Sequence, residues 1–147
     1  MTETHVHILM GTKNGGMFLA DQLASIRGQS HQDWSLWASD DGSTDGTCEA
    51  LEDFKAETPH HDIHLLKGPQ RGVAANYYKL LKNHELDGKW VAFSDQDDVW
   101  LPHKLSRAVA LVGRLGGRCA YSSRSYYVDQ TGGRLGTSPT MNRPYRF

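Results

Sequence analysis

A chain of 147 residues is long enough for one domain with a single well-packed core. Its 16 basic and 17 acidic side chains leave a formal net charge of −1, which argues against a broad nucleic-acid-binding surface. The sequence contains no apolar run of membrane-span length, and its first ten residues carry no signal-peptide pattern. Two widely separated cysteines, Cys48 and Cys119, fit a reduced intracellular protein, so we expect a cytoplasmic location.

Short apolar runs alternate along the chain with amphipathic helical patterns, and clusters of glycine or aspartate lie at the junctions. The pattern predicts four strand–helix units, which pair residues 5–11 with 17–27, 33–39 with 47–56, 62–68 with 73–82, and 89–94 with 103–115. Such an alternation with short junctions is typical of an α/β fold, in which a parallel sheet carries helices on both faces.

Beyond the fourth predicted helix the periodicity weakens. Residues 118–129 are predicted to be mostly extended, and the segment from Gly132 to Phe147 has no periodic pattern. We therefore divide the chain into a core at residues 1–131 and an irregular tail, or a connection to further chain, at residues 132–147.

A polar loop follows each predicted strand. In chain order the loops read GTKNGG, DDGSTDGT, GPQRG and DQDD. In parallel α/β sheets, ligands bind outside the carboxyl ends of the strands, where such loops cluster at one edge. The sequence therefore predicts one ligand site that is built from all four loops.

The fourth loop places Asp95, Asp97 and Asp98 at the tip of a predicted buried strand. Like charges repel one another, so three carboxylates need compensation, which a cation held together with a second anion would supply. Asp95 and Asp97 can converge on one Mg²⁺ or Mn²⁺ ion and leave coordination positions for phosphate oxygens. An EF-hand is excluded, because Val99 and Trp100 occupy the fifth and sixth positions of that loop, where the motif needs a glycine at the sixth.

The same loop admits two other interpretations. A strand followed by Asp-x-Asp-x-Val fits a haloacid-dehalogenase-type phosphatase, with Asp95 as the nucleophile and Asp97 as the acid. That motif normally opens its domain, however, whereas three strand–helix units precede it here. The acids could also do no more than cap the turn before His103.

The other loops offer polar groups that suit a nucleotide. Asp40 and Asp41 precede a Gly turn, where a carboxylate can accept hydrogen bonds from a base imide or from ribose hydroxyls; a capped strand-to-helix turn would explain the rest of this loop. Arg71 and Asn76 can face the same edge, and Thr12 can face an anion. The eight histidines form no ligand-spaced cluster, and we interpret the four tryptophans as core or interface anchors.

Taken together, these loops resemble those of family 2 glycosyltransferases with the GT-A fold. The resemblance covers nearly the whole chain, through GTKNGGMFLADQ, SDDGSTDGT, RGVAANYYKLL and FSDQDDVWLPHKL in that order. The stretch SDQDDVWLP is most similar to the rhamnosyltransferase-type branch. The first loop departs from the family, which usually has Pro-Thr-Tyr-Asn where this chain has Gly11, Thr12, Lys13 and Asn14.

The resemblance implies a Rossmann-like GT-A sheet that binds a nucleotide-diphospho-sugar donor, such as a UDP-sugar or a dTDP-sugar. The residues implied for the nucleotide site are Thr12, Asn14, Asp40, Asp41, Arg71, Asn76 and Asp95. Among them, Thr12 and Asp41 (or Asp40) would contact the base. Asp95 and Asp97 would form the metal-binding Asp-x-Asp motif, with Mg²⁺ or Mn²⁺ as the ion.

The resemblance also implies inverting sugar transfer to a saccharide or lipid-linked acceptor, in cell-surface polysaccharide or glycan synthesis. The catalytic base of such enzymes is an acid from a later segment, so we expect it beyond Phe147; Asp129 lies in the last extended region but lacks the expected surroundings. We therefore interpret the chain as a donor-binding half, truncated before the acceptor-binding half, that transfers sugar poorly by itself. A nucleotide-binding module without catalysis is the alternative. The interpretation as a donor-binding half is compatible with a homo-oligomer and with peripheral association of the full-length enzyme with the inner face of the membrane.

Overall fold

The computed structural model describes residues 4–86, 90–115 and 118–139. Its elements in chain order are β1 (Val6–Thr12), α1 (Leu19–Arg27), β2 (Trp34–Asp40), α2 (Thr47–Glu57), β3 (Ile63–Lys67), α3 (Val73–Leu81), β4 (Trp90–Ser94), α4 (Lys104–Leu115), β5 (Tyr126–Val128) and β6 (Arg134–Thr137). All eight strands and helices predicted through α4 are present, and their observed ends differ from the predicted ones by at most two residues. Lys89, the predicted start of the fourth strand, lies outside the described residues.

The first four strands form one parallel sheet in the order β3-β2-β1-β4. β1 is therefore an inner strand, and its residue Ile8 lies opposite Leu36 of β2 on one side and Ala92 of β4 on the other. On the far side of β2, Leu36 lies opposite Ile63 of β3. The predicted α/β class with a mostly parallel sheet is confirmed.

Helices cover both faces of this sheet, and alternate residues of β1 point into the two different layers. One face belongs to a large apolar core that includes residues of α1, α2 and the first two turns of α4 (Val6, Ile8, Met10, Leu23, Ile26, Leu51, Phe54, Leu105 and Val109). On the other face, Leu9 packs with Trp37 and with Leu80 of α3. Every helix in the described ranges is too short or too polar to cross a membrane.

The tryptophans are structural residues, as the sequence predicts. Trp34 and Trp100 are buried in the large core, and Trp37 is buried on the opposite face of the sheet. His61 stacks on Trp34 with ring centroids 3.7 Å apart, and His64 stacks on Trp37 at 3.6 Å. These two histidines therefore pack against indole rings.

The chain divides into two compact units, Met1–Ala110 and Leu111–Phe147. In the second unit, β5 and β6 form an antiparallel hairpin in which Tyr126 lies opposite Thr137. The structure thus differs from the irregular tail that the sequence predicts from Gly132 onward, because residues 134–137 form a strand. Residues 140–147 of that predicted tail lie outside the described residues, and the division at residue 131 stays a prediction.

The second and third loops approach each other closely at Gly68. Its N–H donates to the Asp40 carbonyl over 2.6 Å, and an added Cβ would lie 2.7 Å from the Asp41 Cα. Because that neighbour is backbone and cannot rotate away, we expect Gly68→Ala to lower the free energy of unfolding by about 1–3 kcal/mol in urea titrations.

Gly113→Ala is the matched control for this substitution. An added Cβ at Gly113, in α4, meets nothing within 4 Å, so the alanine should raise the free energy of unfolding by about 0.5–1 kcal/mol. Equal effects of the two substitutions would contradict the close approach at Gly68.

Candidate functional site

A cavity of about 380 Å³ opens at the carboxyl edge of the first unit's sheet. Its lining comes from all four strand-end loops and the first turns of α3, and comprises Gly11, Thr12, Lys13, Asp41, Gly72, Val73, Asn76, Asp95, Gln96 and Asp97. Thr12 and Asp40, the last residues of β1 and β2, lie opposite each other in the parallel register, which brings these loops together. The predicted convergence of the four loops at one edge of the sheet is confirmed.

The structure separates the predicted site residues into two groups. Five of the eight line the cavity (Thr12, Asp41, Asn76, Asp95 and Asp97), whereas Asn14, Asp40 and Arg71 do not. The reason for this separation lies in what each side chain contacts.

Asp40 is occupied by donors from the protein itself. Its carboxylate accepts hydrogen bonds from the N–H groups of Gly42 and Ser43 at 3.0 and 2.8 Å, from the Ser43 hydroxyl, and from Thr12 Oγ1 at 2.9 Å. Burial by itself raises the pKa of Asp40, but the hydrogen bonds, led by those from Ser43, outweigh it and hold the pKa below its ordinary value. Asp40 therefore fixes the turn of the second loop, and Asp41 is the acid of this pair that faces the cavity.

Asn14 and Arg71 also lie apart from the cavity. The Asn14 side-chain oxygen accepts the Thr44 N–H at 2.9 Å, and its own backbone N–H donates to Ser43 Oγ at 2.8 Å. Asn14 therefore ties the first loop to the second. Arg71 is exposed to solvent on the third loop.

Asp41 connects the second loop to the third while it lines the cavity. The side chain is largely buried, and its two oxygens accept the N–H groups of Gln70 at 2.5 Å and Gly72 at 2.9 Å. Since each carboxylate oxygen can accept more than one hydrogen bond, Asp41 keeps acceptor capacity for a ligand.

Asn76 presents an unsatisfied acceptor at the same place. Its Nδ2 donates to the Ser39 carbonyl at 2.6 Å, which orients the amide, yet its Oδ1 is buried with no hydrogen-bond partner in the described part of the chain. Buried polar atoms are rarely left unpaired, so each exception in a native fold needs an explanation. A hydrogen-bond donor on a bound ligand would satisfy this atom.

The three acids of the fourth loop are not equivalent. Asp95 and Asp97 are exposed and line the cavity, whereas Asp98 does not line it. Burial raises the pKa of Asp98, and the negative charges of Asp95 and Asp97 raise it further. The repulsion expected from the sequence is therefore present, and two of the three carboxylates face the space where a compensating cation could bind.

Tyr77 orients the first of these acids. Its hydroxyl lies 3.0 Å from Asp95 Oδ1 and 2.6 Å from the Ser94 carbonyl. Burial, with a contribution from the negative charge of Asp95, raises the pKa of Tyr77, so the hydroxyl stays protonated and acts as a donor. The sequence pattern does not single out Tyr77, although it directly follows Asn76 on α3.

Gln22, a buried residue of α1, forms hydrogen bonds that fix the fourth loop in place. In the amide orientation that gives each atom a complementary partner, Nε2 donates to Ser25 Oγ at 2.8 Å and to the Asp98 carbonyl at 2.7 Å. Oε1 then accepts from Trp100 Nε1 at 3.2 Å and from Ser94 Oγ at 2.6 Å. The acidic loop is thus fixed to α1, a connection that no motif in the sequence indicates.

The donor set of the fourth loop suits a hard divalent cation that binds together with a phosphate ligand. Among the described residues, no group of three or more His, Cys, Asp or Glu side chains could hold a metal ion. Mg²⁺ usually binds through one or two carboxylates plus substrate phosphates rather than in an all-protein cage. Asp95 and Asp97 fit that pattern.

Asp129 is a turn residue of the β5–β6 hairpin. Its Oδ1 accepts the N–H groups of Thr131 and Gly133, each at 2.8 Å, and the Thr131 hydroxyl at 2.7 Å. These hydrogen bonds, led by the one from the Thr131 side chain, lower the pKa of Asp129. A carboxylate engaged in this way is a weak base.

The parallel α/β sheet with a polar cavity at its carboxyl edge has the GT-A glycosyltransferase fold, as the comparison with solved structures shows. The mannosyltransferase PcManGT from Pyrobaculum calidifontis, solved in complex with GDP-Man and Mn²⁺, superimposes with a TM-score of 0.61 at 24% identity. The superposition covers 72% of this chain and 31% of that chain. The predicted GT-A fold is confirmed.

Residues 7–147 match the sequence profile of Glycosyl transferase family 2, and the chain belongs to this family. The dTDP-rhamnosyl transferase RfbG of Shigella flexneri is 36% identical over 123 residues, which are 80% of this chain and 42% of RfbG. TuaG of Bacillus subtilis (strain 168), a glycosyltransferase provisionally assigned to teichuronic acid biosynthesis, is 31% identical over 122 residues, 82% of this chain and 46% of TuaG. The chain thus spans less than half the length of these curated relatives, and its resemblance to the rhamnosyltransferase-type branch is confirmed.

The role of Asp40 in the turn predicts a pH-dependent stability. Asp40→Asn keeps one oxygen for the Gly42 and Ser43 N–H groups, but it removes the negative charge that strengthens these hydrogen bonds and turns an NH₂ group toward the Thr12 and Ser43 hydroxyls. The substitution should therefore lower the free energy of unfolding at about pH 7 by about 1–3 kcal/mol. Because the folded-state pKa lies below the ordinary 3.8, the carboxylate stabilises the fold above that value and loses its effect as the pH falls through the lower folded-state pKa.

Urea unfolding from about pH 7 down to about pH 3 measures this effect. The difference between wild type and Asp40→Asn should shrink in the most acidic samples. Asp53→Asn, on the exposed side of α2, is the matched control and should leave stability nearly unchanged throughout. A difference that stayed constant at low pH would argue against the assigned hydrogen bonds.

Proposed function

We propose that this chain is the nucleotide-sugar-binding part of an inverting, metal-dependent glycosyltransferase that acts in polysaccharide or glycan synthesis. The observation that carries the proposal is the cavity, whose lining combines polar groups of the first three loops with two exposed carboxylates of the fourth. The names of two relatives, a dTDP-rhamnosyl transferase and a teichuronic acid glycosyltransferase, support the class of reaction. The proposed donor is a UDP-sugar or a dTDP-sugar.

The nucleoside end of the donor is assigned to Thr12, Asp41 and Asn76. A pyrimidine imide N–H or a ribose hydroxyl would donate to the carboxylate of Asp41, and a further donor would satisfy the buried Oδ1 of Asn76. Both acceptors are held in place by hydrogen bonds to the backbone, so they need little reorganisation when a ligand binds.

The diphosphate end is assigned to the fourth loop. Asp95 and Asp97 would hold Mg²⁺ or Mn²⁺ beside the diphosphate, and the ion would supply charge stabilisation for the departing diphosphate. Tyr77 donates to Asp95 and Gln22 fixes the loop backbone, so these carboxylates keep their positions in spite of their mutual repulsion. The general base is proposed to belong to a segment beyond Phe147. The saccharide or lipid-linked acceptor is proposed to bind to that segment.

The metal assignment predicts a selective effect of Asp97→Asn. The variant should bind UDP and dTDP with no dependence on Mn²⁺, because a carboxylate on the ion is lost, and without ligand its stability should be unchanged or slightly higher. Calorimetric titration with UDP, dTDP and GDP, with and without Mn²⁺, measures this dependence and also compares the bases.

Asp98→Asn is the matched control for this test, since it makes the same chemical change one residue away from the cavity lining. It should retain metal-dependent binding. If Asp97→Asn kept the metal dependence of wild type, the assignment of the ion to Asp95 and Asp97 would be wrong.

The nucleoside assignment predicts a different effect of Asp41→Ala. Loss of a hydrogen bond to a charged acceptor should cost about 1.5–3 kcal/mol, which is roughly a ten- to hundredfold loss of affinity for UDP or dTDP. Inorganic pyrophosphate with Mn²⁺ should bind the variant nearly as well as wild type, because it has no base. An equal loss for pyrophosphate would show that Asp41 acts on the diphosphate end.

The two alternative functions that the sequence admits predict different assay results. Family membership gives no support to a haloacid-dehalogenase-type phosphatase, which would release phosphate from simple phosphoesters in the presence of Mg²⁺. A binding module without catalysis would bind nucleoside diphosphates but would transfer no sugar to any acceptor even as the full-length protein. Transfer with inversion at the anomeric carbon would establish the enzyme.

A further inference from the structure

Gln96, the residue between the two metal-site acids, is bonded to the first loop. Its Oε1 accepts the backbone N–H of Lys13 at 2.8 Å, and its Nε2 donates to the backbone carbonyl of the same residue at 3.1 Å. One side-chain amide thus satisfies both backbone groups of Lys13, much as a neighbouring strand would. The fourth loop is thereby fixed to the first at two points.

Lys13 extends this connection to the other loops. Its ammonium donates to the Asp41 carbonyl at 3.2 Å and to the Gly42 carbonyl. The Asp41 carboxylate in turn accepts the N–H groups of Gln70 and Gly72. A continuous series of hydrogen bonds therefore runs from the acidic loop through the first and second loops to the third.

We propose that Gln96 is a positioning residue that couples the metal-binding half of the donor site to its nucleoside-binding half. The inference rests on the proposed function, in which Asp95 and Asp97 hold the diphosphate end and Asp41 the nucleoside end. A ligand that joins two pieces gains affinity over the separate pieces only if both halves of the site are held at the matching separation. The bond between Gln96 and Lys13 holds that separation.

The chemistry of the contact requires a primary amide at position 96. A glutamate there would place a second acceptor against the Lys13 carbonyl, and an alanine would leave both backbone groups of Lys13 without this partner. Gly15 allows the same contact to be broken from the other side. An added Cβ at Gly15 would collide with Gln96 Oε1, so Gly15→Ala must displace the end of a flexible side chain while every cavity-lining residue is retained.

The test compares wild type, Gln96→Ala and Gly15→Ala by their affinities for joined and separate ligands. The joined ligands are UDP and dTDP with Mn²⁺, and the separate pieces are uridine, thymidine and pyrophosphate with Mn²⁺. Both variants should bind the joined ligands about tenfold more weakly while their affinities for the pieces change by less than about twofold. Gly113→Ala, where the added Cβ meets nothing within 4 Å, is the matched control and should behave as wild type.

The possible results of this test bear on different claims. If the affinities for the pieces fell in proportion to those for UDP and dTDP, the contact would be a general structural one, and the coupling would be disproved. Unchanged binding of the joined ligands by both variants would overturn it as well. Failure of wild type to bind any nucleoside diphosphate would overturn the proposed function, and this inference with it. If Gln96→Ala proved unfolded, the affinities of Gly15→Ala alone would decide between coupling and its absence.

Discussion

The parallel pairing of β1 with both of its neighbours is the constraint on which the rest of this structure depends. Because β2 and β4 run in the same direction as β1, the loops that follow these strands emerge at one edge of the sheet. The pairing of β2 with β3 brings the third loop to the same edge. Residues from four distant parts of the chain can then share one cavity, and burial of both faces of the sheet holds the strands in register.

Four of the carboxylates at this edge fall into two distinct physical situations. Asp40 and Asp45 accept hydrogen bonds from nearby backbone N–H groups, so their charges are used to shape the second loop. Asp95 and Asp97 are exposed at the cavity, and Asp95 has the Tyr77 hydroxyl as a partner. A carboxylate satisfied by its own loop contributes to folding, whereas one that faces a cavity beside other acids favours a cation.

The sequence predicts the elements of the sheet and the place of the site well, because both follow from local patterns. Apolar periodicity identifies the strands and helices through α4, and parallel topology places the four loops together. Spacing could not decide between Asp40 and Asp41, since both carboxylates accept backbone N–H groups and the decision depends on which of them also faces the cavity. The contact of Lys13 with Gln96 joins residues 83 positions apart, and that of Gln22 with Ser94 spans 72 positions, so no local pattern could reveal them. The strand β6 was missed because its sequence has no alternation of apolar and polar residues.

The close approach of Gln96 to Gly15 has a consequence for how such loops evolve. Since a Cβ at position 15 and a long side chain at position 96 compete for the same space, the two positions cannot vary independently. At Gly68 the close neighbour is the backbone of Asp41, so no substitution at position 41 could make room for a Cβ there. Homologues that carry a larger residue at one member of a pair should show a compensating change at the other. A loop grafted between relatives would keep its geometry only if its distant partner were transferred with it.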